Sequence, residues 1–593
     1  MISRISTSNI NNIQINNKSS RSSKDNLQQS NSPNFNGKFT DKFVESTIKG
    51  IQYCEKNPML NVAVIDLATA IIPRSIFESF TNIFAGFEAF RRESSGLIIN
   101  CLIPGFLALG AAKLFNNSIV GKNADLSTCW SGKDGINKIT DLYKDAPSSS
   151  AYADGMARFN DPQKARVYAT HYNLLSSASG VDGKEVKKFR DIAELDIASA
   201  SEKLTQATFE EPKQSSFMEH LSNMGKRING WLGRKTNPQS ESTLDEVYHS
   251  VAHKTHIAET VTFGEGKKAL VTDLKSAMNN STKLLRGLVK DGAETPEQIA
   301  SLAKRAKKLV NVKSGIAMGI IIPLAASAQY INRWITSKAS GVKGAPIYND
   351  YGKTNNIVKT PEQEKEEKQK LLKQKFISIG SMVGVACLSM MKLPTLSTLK
   401  NIFQFKGQFP TMDQARAIST VTFSSRMAVA DDKNELSEAT GRDIVTFSSM
   451  YFLGDYAAKG YASHLEHSKG VKLINRTKHV DKNANIFKKV GNWILNSHLK
   501  STDELVGTAT HSFEDMRKLR AQCQMANLGS SLLILGLIVP IYTRMKTARN
   551  HKKDLERANK VSFTSNQPLA QQNLTRISEK SKFKVFQSFK HGV

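Results

Sequence analysis

Cysteine is scarce in this chain: Cys54, Cys101, Cys129, Cys387 and Cys523 are the five in 593 residues, an odd number with no pair in C-x-x-C spacing. A disulfide scaffold is therefore excluded. Acidic residues are also short, with 53 Asp plus Glu against 82 Lys plus Arg and a formal net charge of +29. The excess base has to face anionic partners, an anionic membrane surface or water. Alternating strand patterns are few, so the expected class is mainly α. Common catalytic signatures are missing as well: there is no G-x-S-x-G elbow and no H-E-x-x-H helix. Gly352-Lys353-Thr354 resembles the end of a phosphate loop, but Ile347 stands where the first glycine of that loop belongs. The expectation is a protein with no catalytic centre and no cofactor. A hydrophobic content of 40% with 8% aromatics excludes a wholly disordered or low-complexity chain.

Met1 to Gly37 is rich in Asn, Ser and Gln with no apolar run, which predicts a disordered tail rather than a secretory signal. Any membrane targeting then falls to an internal segment. Four stretches stand out against the polar background: Leu97–Ala112, Ser314–Asn332, Phe376–Met391 and Ala526–Thr543. Each has basic residues at one or both ends, and their lengths approach the roughly 20 residues that cross a bilayer. At about −0.5 kcal/mol per central branched aliphatic, the eight in Leu532–Ile541 supply roughly −4 kcal/mol and the six in the second stretch about −3. The fourth stretch is expected to insert alone. The second and third need helix partners, and their Gly, Ala and Ser content suits close packing. Met59–Ile72 and Ile444–Ala458, each interrupted by an Asp, read as buried or interfacial.

Helix starts support this order. Thr295-Pro296-Glu297-Gln298 recurs as Thr360-Pro361-Glu362-Gln363, a capping box with proline in the first turn. Each predicts one long helix running without a breaker into the apolar stretch that follows, its first half wet and its second half in lipid or core. Ser501 with Glu504 is a third box, which would lead Thr502–Gln524 into the last stretch. Pro104, Pro323 and Pro540 sit inside apolar stretches and admit the broken-helix sites of transporters.

The fold expected is a mainly α, multi-pass helical membrane protein of about four spans with helical extramembrane regions. The divisions are 1–37 as disordered tail, 38–112 as amphipathic and first apolar helices, and 113–295 as a polar helical region. A helix-loop-helix membrane pair follows at 296–391, a second polar helical region at 392–525, the last membrane helix at 526–543 and a basic tail at 544–593.

Side chains that could carry chemistry are few. His249, His253 and His256 share a predicted helix face at metal-ligand spacing, with a plain polar face as the alternative. Arg544, Lys546, Arg549, Lys552 and Lys553 follow the last apolar stretch, where each cation is worth about 1 kcal/mol against anionic headgroups. Phe583, Phe586 and Phe589, interleaved with lysines, add an apolar edge for the same surface. A bilayer with anionic headgroups is the expected partner, and a second copy or another protein is left open. Aromatic and basic interleaving also suits single-stranded nucleic acid, but no RNA- or DNA-binding motif accompanies it. The expected role is structural, scaffolding or membrane-organising. Alternatives are a transporter or channel-like protein, and a soluble basic helical protein that binds nucleic acid or a partner. Basic residues place both termini and the loop from Arg333 to Lys375 in the cytoplasm.

Overall fold

The computed structural model describes residues 58–80, 83–182, 185–210, 242–266, 269–340, 361–390, 402–407, 409–431, 433–476, 484–508 and 510–564. The expected tail and the phenylalanines at 583, 586 and 589 lie outside them. The protein is mainly helical. α1 (residues 58–79) and α2 (Ile83–Ile119) form a tight hairpin. A lobe follows, built from α3 (Lys133–Asp145), α4 (Ser150–Phe159), α5 (Pro162–Ser176), α6 (Ile197–Phe209), α7 (Thr243–Thr255) and α8 (Leu274–Lys290). It carries an antiparallel sheet of β1 (Ala178–Asp182), β2 (Glu185–Lys188), β3 (Val261–Phe263) and β4 (Leu270–Thr272) in the order β2-β1-β3-β4.

The chain then returns to the hairpin as α9 (Pro296–Ser340), α10 (Pro361–Met390), α11 (Met412–Val429) and α12 (residues 433–469). β5 (Ile474–Arg476), α13 (Ile486–Leu495) and β6 (Ser497–Leu499) lead into α14 (residues 513–564). α1, α2, α9 to α12 and α14 pack side by side as a bundle. Among the described residues, four helices are long and apolar enough to cross a membrane: Ile83–Ile119, Pro296–Ala339, Glu364–Met390 and Phe513–Asn550.

α9 is one uninterrupted helix, and its start is the reciprocal cap expected from the sequence. The Gln298 amide donates to Thr295 Oγ1 and the Thr295 amide to Gln298 Oε1, an arrangement worth about 1 kcal/mol. Its first half, however, is not wet. Ile299, Leu302, Ala306, Leu309 and Val310 are buried in the lobe's core with Ile136, Ile139, Leu284 and Leu288, so α9 joins lobe and bundle as one rigid strut. The corresponding half of α10 is exposed, as expected.

Several local expectations fail for identifiable reasons. The region 113–295, expected to be helical, also holds the short strands β2, β3 and β4. Strands of three or four residues are too short to show alternation, and their pairing, β2 and β3 with β1 and β4 with β3, is set by tertiary contact. The Ser501–Glu504 box caps only a single 3-10 turn. The Glu504 carboxylate also accepts from the Ala258 and Glu259 amides at 3.1 and 3.2 Å, pinning the segment before α14 to the lobe. α14 starts instead at a second box, Ser512 with Asp515.

Three prolines in the helices of the bundle each follow a widened turn. π-helical turns at Leu67–Ile71, Ile98–Leu102 and Leu532–Ile538 come just before Pro73, Pro104 and Pro540. Proline lacks an N–H and crowds the carbonyl one turn earlier, and a widened turn relieves both problems. Pro323 lies in α9 without such a turn. Gly536 sits where the widened turns of α14 and α1 meet; a Cβ there would lie 3.1 Å from the Thr69 carbonyl oxygen.

The lobe also buries His171 completely, with Nε2 3.2 Å from Thr208 Oγ1. Burial pushes this imidazole down from 6.5 to about 3, so the fold holds it neutral. Its contribution is complete above the unfolded value of 6.5 and is lost as pH falls from there toward 3. The expected loss is about 1.4 kcal/mol per pH unit below 6.5. Urea midpoints across that range should show this slope, and His171→Gln should flatten it.

Candidate functional site

The most unusual chemistry of the bundle is a buried network of arginines and carboxylates. It gathers Arg74 and Glu78 from α1, Glu88, Arg92 and Glu93 from α2, Arg426 from α11, and Glu438, Arg442 and Asp443 from α12. Glu93 accepts from Arg74 at 3.1 Å and from Arg426 at 2.6 Å. Asp443 accepts from Arg426 and from Arg442, both at 3.0 Å. Asp443 is fully buried and Arg426 is 6% exposed. Arg92 stands 3.9 Å from both Glu78 and Glu88. Burial works to raise the Glu78 carboxyl, but Arg74 and Arg92 outweigh it and hold it below the usual carboxylate range.

Local sequence explains how each element delivers its charges. On α1, Arg74 and Glu78 are one helical turn apart, and so are Glu88 and Arg92 on α2, so each hairpin arm presents a pair on one face. Arg426 lies one turn beyond Thr422, whose hydroxyl is 3.1 Å from Asn100 Oδ1. The same five residues, Val-Thr-Phe-Ser-Ser, occur at 421–425 on α11 and 445–449 on α12, where Phe423 and Phe447 meet edge to face with centroids 6.3 Å apart. That contact brings Arg426 opposite Asp443. A cavity of about 40 Å³ lies beside the network, lined by Glu88, Gln329, Arg333, Glu435 and Glu438 among others.

A layer of further contacts at the same end ties the remaining helices together. Arg91 donates to the Asn332 carbonyl at 2.8 Å and to Thr336, and the Asn332 amide donates to Ser95 at 2.9 Å. Arg333 pairs with Asp431 at 2.7 Å and with Glu435. Lys375, at the start of the apolar part of α10, donates to the Ala428 carbonyl at 2.8 Å. Arg544 reaches the Phe77 carbonyl at 2.6 Å, and Lys546 reaches Ser437 at 2.8 Å. One end of all four apolar helices is thus marked by cations bonded across the bundle.

Lys313 marks the opposite end of α9. It is fully buried, donates to the Cys129 carbonyl at 2.6 Å and lies 3.9 Å from the centre of the Trp130 ring. From Lys313 to Arg333 the helix rises roughly 30 Å, the thickness of a bilayer's hydrocarbon core. The sequence marks Lys313 only as a flanking charge, and nothing local to it reveals the lobe carbonyls it meets.

The three histidines singled out in the sequence lie on α7 and at its end. His249 lies 3.5 Å from Asp503, and the His253 ring meets the edge of Phe513. His256 ends the helix in the left-handed region at φ 56°, with its ring centroid 6.1 Å from that of His253. Among the described residues no three His, Cys, Asp or Glu side chains are grouped to hold a metal ion. Of the basic run, Arg544 and Lys546 turn into the bundle contacts above, while Arg549, Lys552 and Lys553 are exposed on α14. Comparison of the chain with protein-family models, curated proteins and solved structures finds no match.

Proposed function

We propose that the protein is a non-catalytic, multi-pass integral membrane protein whose rigid bundle organises a membrane and holds the lobe at its surface. The observation that carries this reading is the inversion of the bundle. Charges are buried between the helices, while Leu533, Leu537, Ile538 and Ile541 on α14 and Phe376, Ile377 and Leu388 on α10 point outward, exposed by 43 to 75%. Ile98, Leu102 and Phe106 on α2 and Ile320, Ile331 and Trp334 on α9 continue this belt. A soluble protein would bury such residues and expose the arginines. Lipid makes the belt favourable, and the interior must then satisfy its own polar groups.

α11 and α12 run between the apolar helices as an antiparallel pair, one from the Lys313 end to the Arg333 end and the other back. Counting them as crossings puts the end of α14 and the loop after Arg333 on one face, in keeping with a cytoplasmic side there, while α1, whose end at Phe77 meets Arg544, begins toward the other face. The polar cavity has room for a water or two, which supports a structural role over solute passage. Carbonate extraction tests the proposal. The full chain should stay in the membrane pellet at alkaline pH and enter solution only with detergent; release into the carbonate supernatant would reject it.

A further inference from the structure

We propose that α13 is an interfacial anchor that lies on an anionic bilayer surface at the end of the bundle where the apolar part of α14 begins. The inference rests on the membrane reading above and adds a lipid-binding element that the apolar helices do not include. α13 has the sequence Ile486-Phe487-Lys488-Lys489-Val490-Gly491-Asn492-Trp493-Ile494-Leu495, and none of its residues is buried. Helical spacing puts Ile486, Phe487, Val490, Trp493 and Ile494 on one stripe, with Lys488 and Asn492 opposite. Phe487 is 81% exposed, Ile486 68% and Val490 49%. An exposed apolar stripe bordered by lysines is the pattern of a helix that rests in the headgroup region, and the two lysines complement anionic lipid.

Contacts with α12 fix the level at which this helix sits. Trp493 donates to Ser463 at 3.2 Å and stacks near Tyr456, while buried Lys459 donates to the Ser497 carbonyl just past the end of α13 at 3.1 Å. Slightly earlier on α12, Gly454 lies directly against Asn527, because a Cβ at Gly454 would collide with the Asn527 side chain. Asn527 stands at the start of the apolar segment of α14, so Lys459, about a turn further along α12, lies just outside it. α13 is therefore held where the hydrocarbon would give way to headgroups. Trp493 holds one end of the stripe against α12, and Ile486, Phe487 and Val490 at the other end face away from the protein at that depth. A lipid surface covers it without any further partner.

The test uses the full chain reconstituted in phosphatidylcholine vesicles, alone or mixed equally with phosphatidylglycerol. An environment-sensitive fluorophore is placed at Phe487→Cys in an otherwise cysteine-free protein, with a second preparation labelled at Leu537→Cys. Shallow nitroxide lipids should quench the Phe487 probe, more strongly in the anionic vesicles. Lys488→Gln with Lys489→Gln should remove that preference, a roughly 30-fold shift in surface partitioning at the usual contribution per cation. Quenching of the Leu537 probe alone would overturn the α13 proposal and leave the membrane reading standing. Failure to quench either probe would overturn both. A Phe487 probe already shielded in detergent, in proportion to protein concentration, would assign the stripe to a second copy and reject the lipid proposal.

Discussion

Replacing Arg426 with methionine should cost about 3–5 kcal/mol of bundle stability, because it strands Glu93 and Asp443 in a buried site with one cation fewer. The side chain is of similar length and apolar, so packing survives while the charge balance does not. The loss should appear as an earlier thermal midpoint of the detergent-solubilised protein. Adding Glu93→Gln and Asp443→Asn to the same variant should recover most of it, since the stranded charges are then gone. Arg442 still pairs with Glu438 in that background, which makes the recovery partial. An Arg426→Met midpoint equal to wild type would mean that the network is wetter than its burial indicates.

Leu537→Arg is expected to have the other large effect. Leu537 is 43% exposed on the outer face of α14. On a water-facing helix such a change is nearly neutral, within about 0.5 kcal/mol. Facing lipid, it should cost about 2.5–3.5 kcal/mol of insertion, read as the inserted fraction of this helix in a translocon assay. Leu535, buried against the bundle at 4% exposure, provides the contrast. Leu535→Arg should damage folding in either environment, so only the outer position discriminates between them.

The apolar helices were legible in the sequence because their signals are local. Runs such as Leu532–Ile541 and caps such as Thr295 with Gln298 are complete within a few residues. The network was not legible for the opposite reason. Arg426 and Glu93 are separated by 333 positions, and each taken alone is an ordinary charge on a helix. The stretch 392–525 looked like a separate polar region because α11 and α12 are polar by composition. Their Ser, Thr and Arg side chains face the other helices: Thr422 meets Asn100, and Ser419 meets Tyr451 at 2.7 Å. α11 and α12 therefore pack within the bundle although their composition is polar. The short strands of the lobe and the lobe contacts of Glu504 and Lys313 were hidden likewise, since each depends on partners far away in sequence.

The central claim is that the outer face of the bundle rests in lipid and the inner face carries the polar contacts. Nitroxide side chains placed one at a time from residue 531 to 542, in a cysteine-free protein reconstituted in bilayers, test this most directly through collision with oxygen and with a water-soluble nickel chelate. Oxygen access should peak at Leu533, Leu537 and Ile541 and fall at Leu535 and Val539, with the chelate excluded throughout, while a label at exposed Arg549 collides with the chelate freely. Chelate collisions at Leu533, Leu537 and Ile541 as frequent as those at Arg549 would contradict the account.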